Sequence, residues 1–130
     1  MGAQVLAAGR ALHADASETA IHTLLEPQPG DVVVRKTRVG AFSTTDLDAQ
    51  LRDRRIDTLI LAGISTSGVV LSSTRNAYDR DYALVVLADA CADPDAQVHD
   101  FLIEKILPRQ AHVISTDEMA ARLGQPQTGA

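Results

Sequence analysis

The 130 residues carry 12 Lys+Arg against 17 Asp+Glu, for a net charge of −5, and are 45% apolar but only 3% aromatic. That length and composition fit one compact domain with an aliphatic core, and an acidic chain lacking a basic stripe or stacking aromatics argues against nucleic acid. The longest apolar runs, Leu59–Ile64 and Ala83–Ala88, fall far short of the roughly 20 residues of a membrane span, and a single cysteine excludes an intrachain disulfide framework or a four-thiolate zinc site.

Met1–Asp15 is Ala-rich and weakly patterned, readable as helix or strand, with no basic-then-apolar signal segment, so a cytoplasmic location is expected. Pro27-Gln-Pro-Gly30 is turn chemistry, and Asp31–Lys36 reads as a β-branched strand ending in charge. Thr45 is placed to cap a helix over Asp46–Arg54, where Leu47 and Leu51 stand at i, i+4. Asp57–Ile64 and Tyr82–Ala88 are nearly unbroken apolar runs, predicted as strands buried on both faces. Helices are predicted over Ser67–Arg80 and Asp95–Leu107, with Pro94 tolerated before the second and Pro108 stopping it. Ala111–Ile114 is a short strand, and Ser115-Thr-Asp-Glu118 is a capping box for a last helix. Residues 1–123 are expected to form a single domain, with 124–130 a fraying tail.

Strands alternate with helices, and the strands are apolar runs rather than two-faced alternations, which predicts an α/β fold with a parallel sheet covered by helices. Ligands of such sheets sit at the carboxyl ends of the strands. The places to search are therefore Arg35–Phe42, Gly63–Val69 and Ala88–Asp95.

Those places carry a family pattern. Gly30-Asp-Val-Val-Val-Arg-Lys-Thr-Arg-Val-Gly-Ala-Phe42, Thr58-Leu-Ile-Leu-Ala-Gly-Ile-Ser-Thr-Ser-Gly-Val-Val70, Ser73-Thr-Arg-Asn-Ala-Tyr-Asp79 and Val85-Val-Leu-Ala-Asp-Ala-Cys-Ala92 stand in matching order and spacing. Over residues 30–108 the chain resembles the isochorismatase-like cysteine hydrolases. The resemblance implies a Rossmann-like three-layer α/β fold and hydrolysis of a small molecule, with no cofactor or metal and no membrane. It also implies a homo-oligomer. In the family's amidases a cysteine thiolate attacks a carbonyl, an Asp acts as base, a Lys assists, and backbone amides hold the oxyanion.

Carried over by position, Lys36 matches the catalytic Lys, Ile64–Ser65 the cis-peptide turn, and Ser65 with Val69 the oxyanion amides. Val69 also stands where the amidases have their nucleophilic Cys, and an isopropyl group cannot attack a carbonyl. No Asp-Met-Gln-like motif supplies the Asp, and the family's first strands, which lie mid-sheet, have no counterpart, with Val5–Leu12 the sole candidate substitute. Two apolar strand edges are then expected to be unpaired.

His22, Phe42, Thr66 and Ser67 are candidate pocket residues. Thr66 or Ser67 reads more readily as a helix N-cap than as a nucleophile, His22 as a loop-ordering residue, and Cys91 as packing. Asp89 and Asp93 are placed to accept hydrogen bonds from loop amides, and Arg52, Arg54 and Arg55 to complement a helix C-terminus. The expected function is hydrolysis of a vinyl ether or amide, impaired by the missing Asp and Cys. The alternative is a non-catalytic pseudoenzyme that binds a small molecule or oligomerises on the same scaffold.

Overall fold

A computed structural model describes residues 15–125. The chain divides into two compact units at Val33/Val34. The first contains two short 3-10 turns, Ser17–Thr19 and Thr23–Leu25. The expectations for residues 1–14, including Val5–Leu12, and for the tail from 126 lie outside the described residues.

The second unit holds a parallel sheet of three strands in the order β1 (Thr58–Ile64), β2 (Ala83–Ala92), β3 (His112–Ile114). Helix α1 (Leu47–Asp53) precedes β1. A π-helical turn, Thr66–Val70, runs into α2 (Leu71–Asp79) between β1 and β2. Between β2 and β3, α3 (Ala96–Phe101) continues through a π-helical turn, Leu102–Ile106, and a 3-10 turn, Leu107–Arg109. Helix α4 (Thr116–Gly124) follows β3. This is the predicted α/β class: parallel strands joined by helical crossovers.

The local chemistry explains the boundaries. Ser115 caps α4 as predicted by accepting the Glu118 N–H. Helix α1, by contrast, has Asp46 as its N-cap with no side-chain cap bond, and the Thr45 Oγ1 accepts the Leu47 N–H at 3.2 Å from one residue further out. Helices α1 and α2 end on left-handed residues, Arg55 (φ 55°) and Asp81 (φ 69°). The following amides, Ile56 and Tyr82, reach back to the carbonyls of Leu51 and Ala77. Strand β1 pairs with β2 in regular register from Thr58↔Ala83 to Leu61↔Val86, then slips so that Gly63 meets Cys91. Gly63 sits at that irregularity with φ +136°, a conformation that disfavours any side chain.

Two expectations are corrected. Asp31–Lys36 forms no strand; Val32 and Val34 are half-buried in irregular chain, because a strand needs a ladder partner and none lies beside it among the described residues. Strand β1 is not buried on both faces: its residues alternate between exposed and half-buried, Ile60 is 44% exposed, and among the described residues its one neighbour is β2. Among those residues β1 therefore lies at the edge of the sheet, where its apolar run has half the cover that a central strand receives.

Two apolar clusters form the core. Val70, Val86, Cys91, Leu102 and Leu107 make one, and Phe42, Ala77, Tyr82 and Leu84 the other. Cys91 is therefore a packing residue, and burial pushes its thiol pKa up, away from thiolate chemistry.

Candidate active-site turn

The carboxyl end of β1 delivers the chain into a helix through residues 64–70. The Ile64–Ser65 peptide is cis, and Ser65 is extended (φ −99°, ψ 154°). Its carbonyl accepts the Gly68 and Val70 amides, each at 3.2 Å. The Val70 bond has the i→i+5 spacing of a π-helical start, and the Gly68 bond the i→i+3 spacing of a tight first turn. Gly68 is required by proximity, since a Cβ there would lie 2.6 Å from Ser65 Oγ.

Neighbouring elements hold this turn. Asp93, just beyond β2, accepts the Ser67 N–H at 2.7 Å through Oδ2 and the Asp95 N–H at 3.2 Å through Oδ1. Hydrogen bonding from Ser67 keeps the Asp93 carboxyl below the usual carboxylate range. Thr66 is fully buried, and its Oγ1 lies 2.7 Å from His99 Nδ1 on α3. The expected N-cap role for Thr66 or Ser67 is thus corrected. The Thr66 hydroxyl is engaged by a histidine, and the helix's first turn is served by a carboxylate from another loop. Asp89 behaves similarly, taking the N–H (2.8 Å) and hydroxyl (2.7 Å) of Thr116 at the start of α4. Both aspartates accept from loop and helix-start groups, as their positions predicted.

A cavity of about 220 Å³ lies along β1, lined by Leu59–Ala62, Ala41, Phe42, Leu47, Leu51, Val69, Val70 and Ser73. Phe42 is buried against Tyr82, with ring centroids 6.1 Å apart, and forms part of the wall. The loop over residues 37–45 is pinned by the Ala41 N–H on Ser73 Oγ (3.1 Å) and by a 2.8 Å hydroxyl contact between Thr37 and Thr44.

Thus the structure brings Val69 and Phe42 to one cavity, while Ile64, Ser65, Thr66 and Ser67 form the adjacent turn. Lys36 is exposed, and its ammonium donates to the Arg38 carbonyl at 3.0 Å, within its own loop. His22, in the first unit, caps a 3-10 turn by accepting the Leu24 N–H at 3.1 Å. Arg52 lies 4.3 Å over the Tyr82 ring and pairs with Asp48. Sequence reading missed His99: it stands 33 positions from Thr66, and only the packing of α3 joins them.

The model of the isochorismatase domain matches residues 4–118. The chain belongs to the isochorismatase family. An uncharacterized isochorismatase family protein, YecD of Escherichia coli O157:H7, is 45% identical over 89 residues, covering 68% of this chain and 47% of that protein. The ureidoacrylate amidohydrolase RutB of Methylorubrum extorquens is 48% identical over 66 residues, 51% of this chain and 27% of that enzyme. An isochorismatase family protein of known structure from Burkholderia thailandensis superposes with a TM-score of 0.78 at 39% identity. That match covers 82% of this chain and 56% of the other. The chain spans about half the length of the family proteins that it matches most broadly.

Proposed function

We propose that this chain carries the anion-stabilising half of an isochorismatase-family hydrolase site for a small molecule. The supporting observation is the 64–70 turn, which opens at the carboxyl end of β1 beside a cavity walled by the Val69 side chain. In this reading the Ser65 and Val69 amides hold the substrate oxygen on which negative charge develops, with Lys36 assisting. For an amide attacked by water that is the carbonyl oxygen. For a vinyl ether it is the hemiketal oxygen that loses its proton as the alcohol departs, after the vinyl carbon has been protonated and water has added. Asp93 and the Ser65 carbonyl already engage the Ser67 and Gly68 amides, leaving those two outside the role. Val69 offers no nucleophile, which favours cleavage of a vinyl-ether C–O bond over amide hydrolysis through a thioester. RutB, an amidohydrolase by name, keeps amides in view as substrates. Turnover by the 130 residues is expected to be slow but above background, because no carboxylate of the family's first-strand motif is matched.

A second reading has its own support: the cavity wall is apolar apart from Ser73, whose Oγ accepts the Ala41 N–H, which suits a module that binds a small molecule without turning it over. Self-association belongs to both readings, along the edge of β1 that no other strand among the described residues covers. The test is turnover of isochorismate and of nicotinamide by the purified chain, beside Lys36→Ala. Activity lost on that change supports hydrolysis. Equal background rates, with saturable binding of either compound, support the binding module and remove the hydrolase reading from this chain.

A further inference from the structure

The 65–69 turn is held from outside its own helix at two adjacent residues, and both holds come from one stretch of chain. Asp93 takes the Ser67 backbone N–H at 2.7 Å, and His99 Nδ1 meets the buried Thr66 hydroxyl at 2.7 Å. Asp93 is itself fixed: its second carboxylate oxygen accepts the Asp95 N–H, and Asp95 in turn caps α3 by accepting the Gln97 and Val98 amides at 2.9 and 3.4 Å. His99 lies one turn further along that helix, in half-buried surroundings. The end of β2 and the start of α3 therefore form a rigid bracket whose two polar ends grip consecutive residues of the turn.

We propose that Asp93 and His99 are positioning residues for this turn, a two-point clamp that sets the direction of the Val69 N–H. This inference rests on the reading of the turn as the anion-stabilising element. The physical basis is that one hydrogen bond leaves a peptide free to rock about its own axis. A second bond, to the neighbouring side chain and from another direction, removes that freedom. The Ser65 carbonyl, bonded to Gly68 and Val70, carries the constraint through to the residues flanking Val69. An oxyanion donor gains most when it is already aimed before charge develops, so orientation affects the chemical step more than substrate binding. The carboxylate suits the Ser67 end because an ionised acceptor makes the stronger bond to a peptide N–H. The imidazole suits the Thr66 end because it partners a hydroxyl as donor or acceptor, so the buried group is satisfied in either tautomer.

The test uses the 130-residue chain and four variants: Asp93→Asn, His99→Leu, His99→Asn and, as control at an exposed position of α3, Gln97→Ala. The Asn side chain at 99 places a polar atom near the original Nδ1, so it is the conservative partner of the leucine. Amide hydrogen exchange is read at residues 65–70 with thermal stability measured alongside. The expected result is exchange at Ser67 at least tenfold faster in Asp93→Asn. His99→Leu is expected to perturb the Thr66–Val69 amides, His99→Asn to restore most of the native pattern, and Gln97→Ala to leave the turn unchanged. Unchanged exchange at 66–69 in both Asp93→Asn and His99→Leu would overturn the clamp. So would changes that merely follow a global loss of stability in all four variants. If the parent chain turns over isochorismate, the clamp further requires a fall in kcat of tenfold or more with KM within twofold. A rise in KM alone would overturn it. If the parent chain shows no turnover, the hydrolase reading falls, and the clamp is decided by the exchange pattern.

Discussion

Ser65 and Gly68 are close enough that the glycine cannot carry a methyl group without displacing the serine hydroxyl. A Cβ at 68 would lie 2.6 Å from Ser65 Oγ but 4.0 Å from Ser65 Cβ. The conflict is therefore with a single atom. Gly68→Ala is expected to destabilise the chain by about 1–2 kcal/mol in the presence of Ser65 and by much less in a Ser65→Ala background. A double-mutant cycle by urea unfolding measures the coupling. Equal costs in the two backgrounds would show that the glycine is needed for another reason.

Two residues with positive φ give opposite expectations. Gly63 (φ +136°) has nothing within 4 Å of its would-be Cβ, so Gly63→Ala costs backbone strain alone, on the order of 1–3 kcal/mol. Arg55 (φ 55°) already bears that strain at the end of α1, so Arg55→Gly is expected to raise stability by up to about 1 kcal/mol. Thermal unfolding of both variants checks the signs.

Tyr82 joins the core to a charged rim. Its ring is 4% exposed and its hydroxyl donates to Asp48 Oδ1 at 2.7 Å, while Arg52 and Arg80 approach the same carboxylate at 3.6 and 3.5 Å. Tyr82→Phe keeps the ring contacts with Phe42 and removes one bond to a partly exposed carboxylate. The expected loss is about 1 kcal/mol, against about 3–5 kcal/mol for Tyr82→Ala, which also empties core volume.

Acid should loosen the loops that frame the site. Bonds from Thr116 to Asp89 and from Ser67 to Asp93 lower both carboxyl pKa values in the folded state. A depressed folded value means that the unfolded chain binds protons first as pH falls. The stabilisation is thus complete above the unfolded value of about 4 and disappears as pH drops through the folded values. Asp89→Asn and Asp93→Asn are expected to flatten the fall in melting temperature below about pH 4, and identical acid profiles for parent and variants would contradict this.

Among the described residues no strand covers the edge of β1 away from β2, and its seven residues, Thr58–Ile64, carry no charge or proline to discourage pairing with a second copy. Ile60→Lys places a charge at the middle of that edge and is expected to lower the apparent mass in concentration-dependent light scattering. A chain that is monomeric at every concentration, with or without the lysine, would refute edge pairing.

Local sequence determined a good deal of this. The runs Thr58–Ile64 and Ala83–Ala88 named two strands because an unbroken apolar stretch of that length has few other uses. Ser115 fixed a helix start because a hydroxyl beside a helix amide acts at short range, while the cap expected of Thr45 fell to Asp46, one residue on. The stretches Gly30–Phe42, Thr58–Val70, Ser73–Asp79 and Val85–Ala92 carried a resemblance to the family, and the isochorismatase domain matched over residues 4–118 places the chain in it. What lay beyond reach of the sequence were properties set by partners far along the chain. Asp31–Lys36 has strand composition, yet whether it is a strand depends on a neighbour for its ladder. Thr66 has cap composition, yet its hydroxyl goes to His99, 33 residues on. A residue's type says which bonds it is able to make. Only the packing of α3 against the end of β1 decided which bonds Thr66 and Ser67 formed, because backbone and side-chain donors take the nearest acceptor in space, and nearness in space is a property of the whole fold.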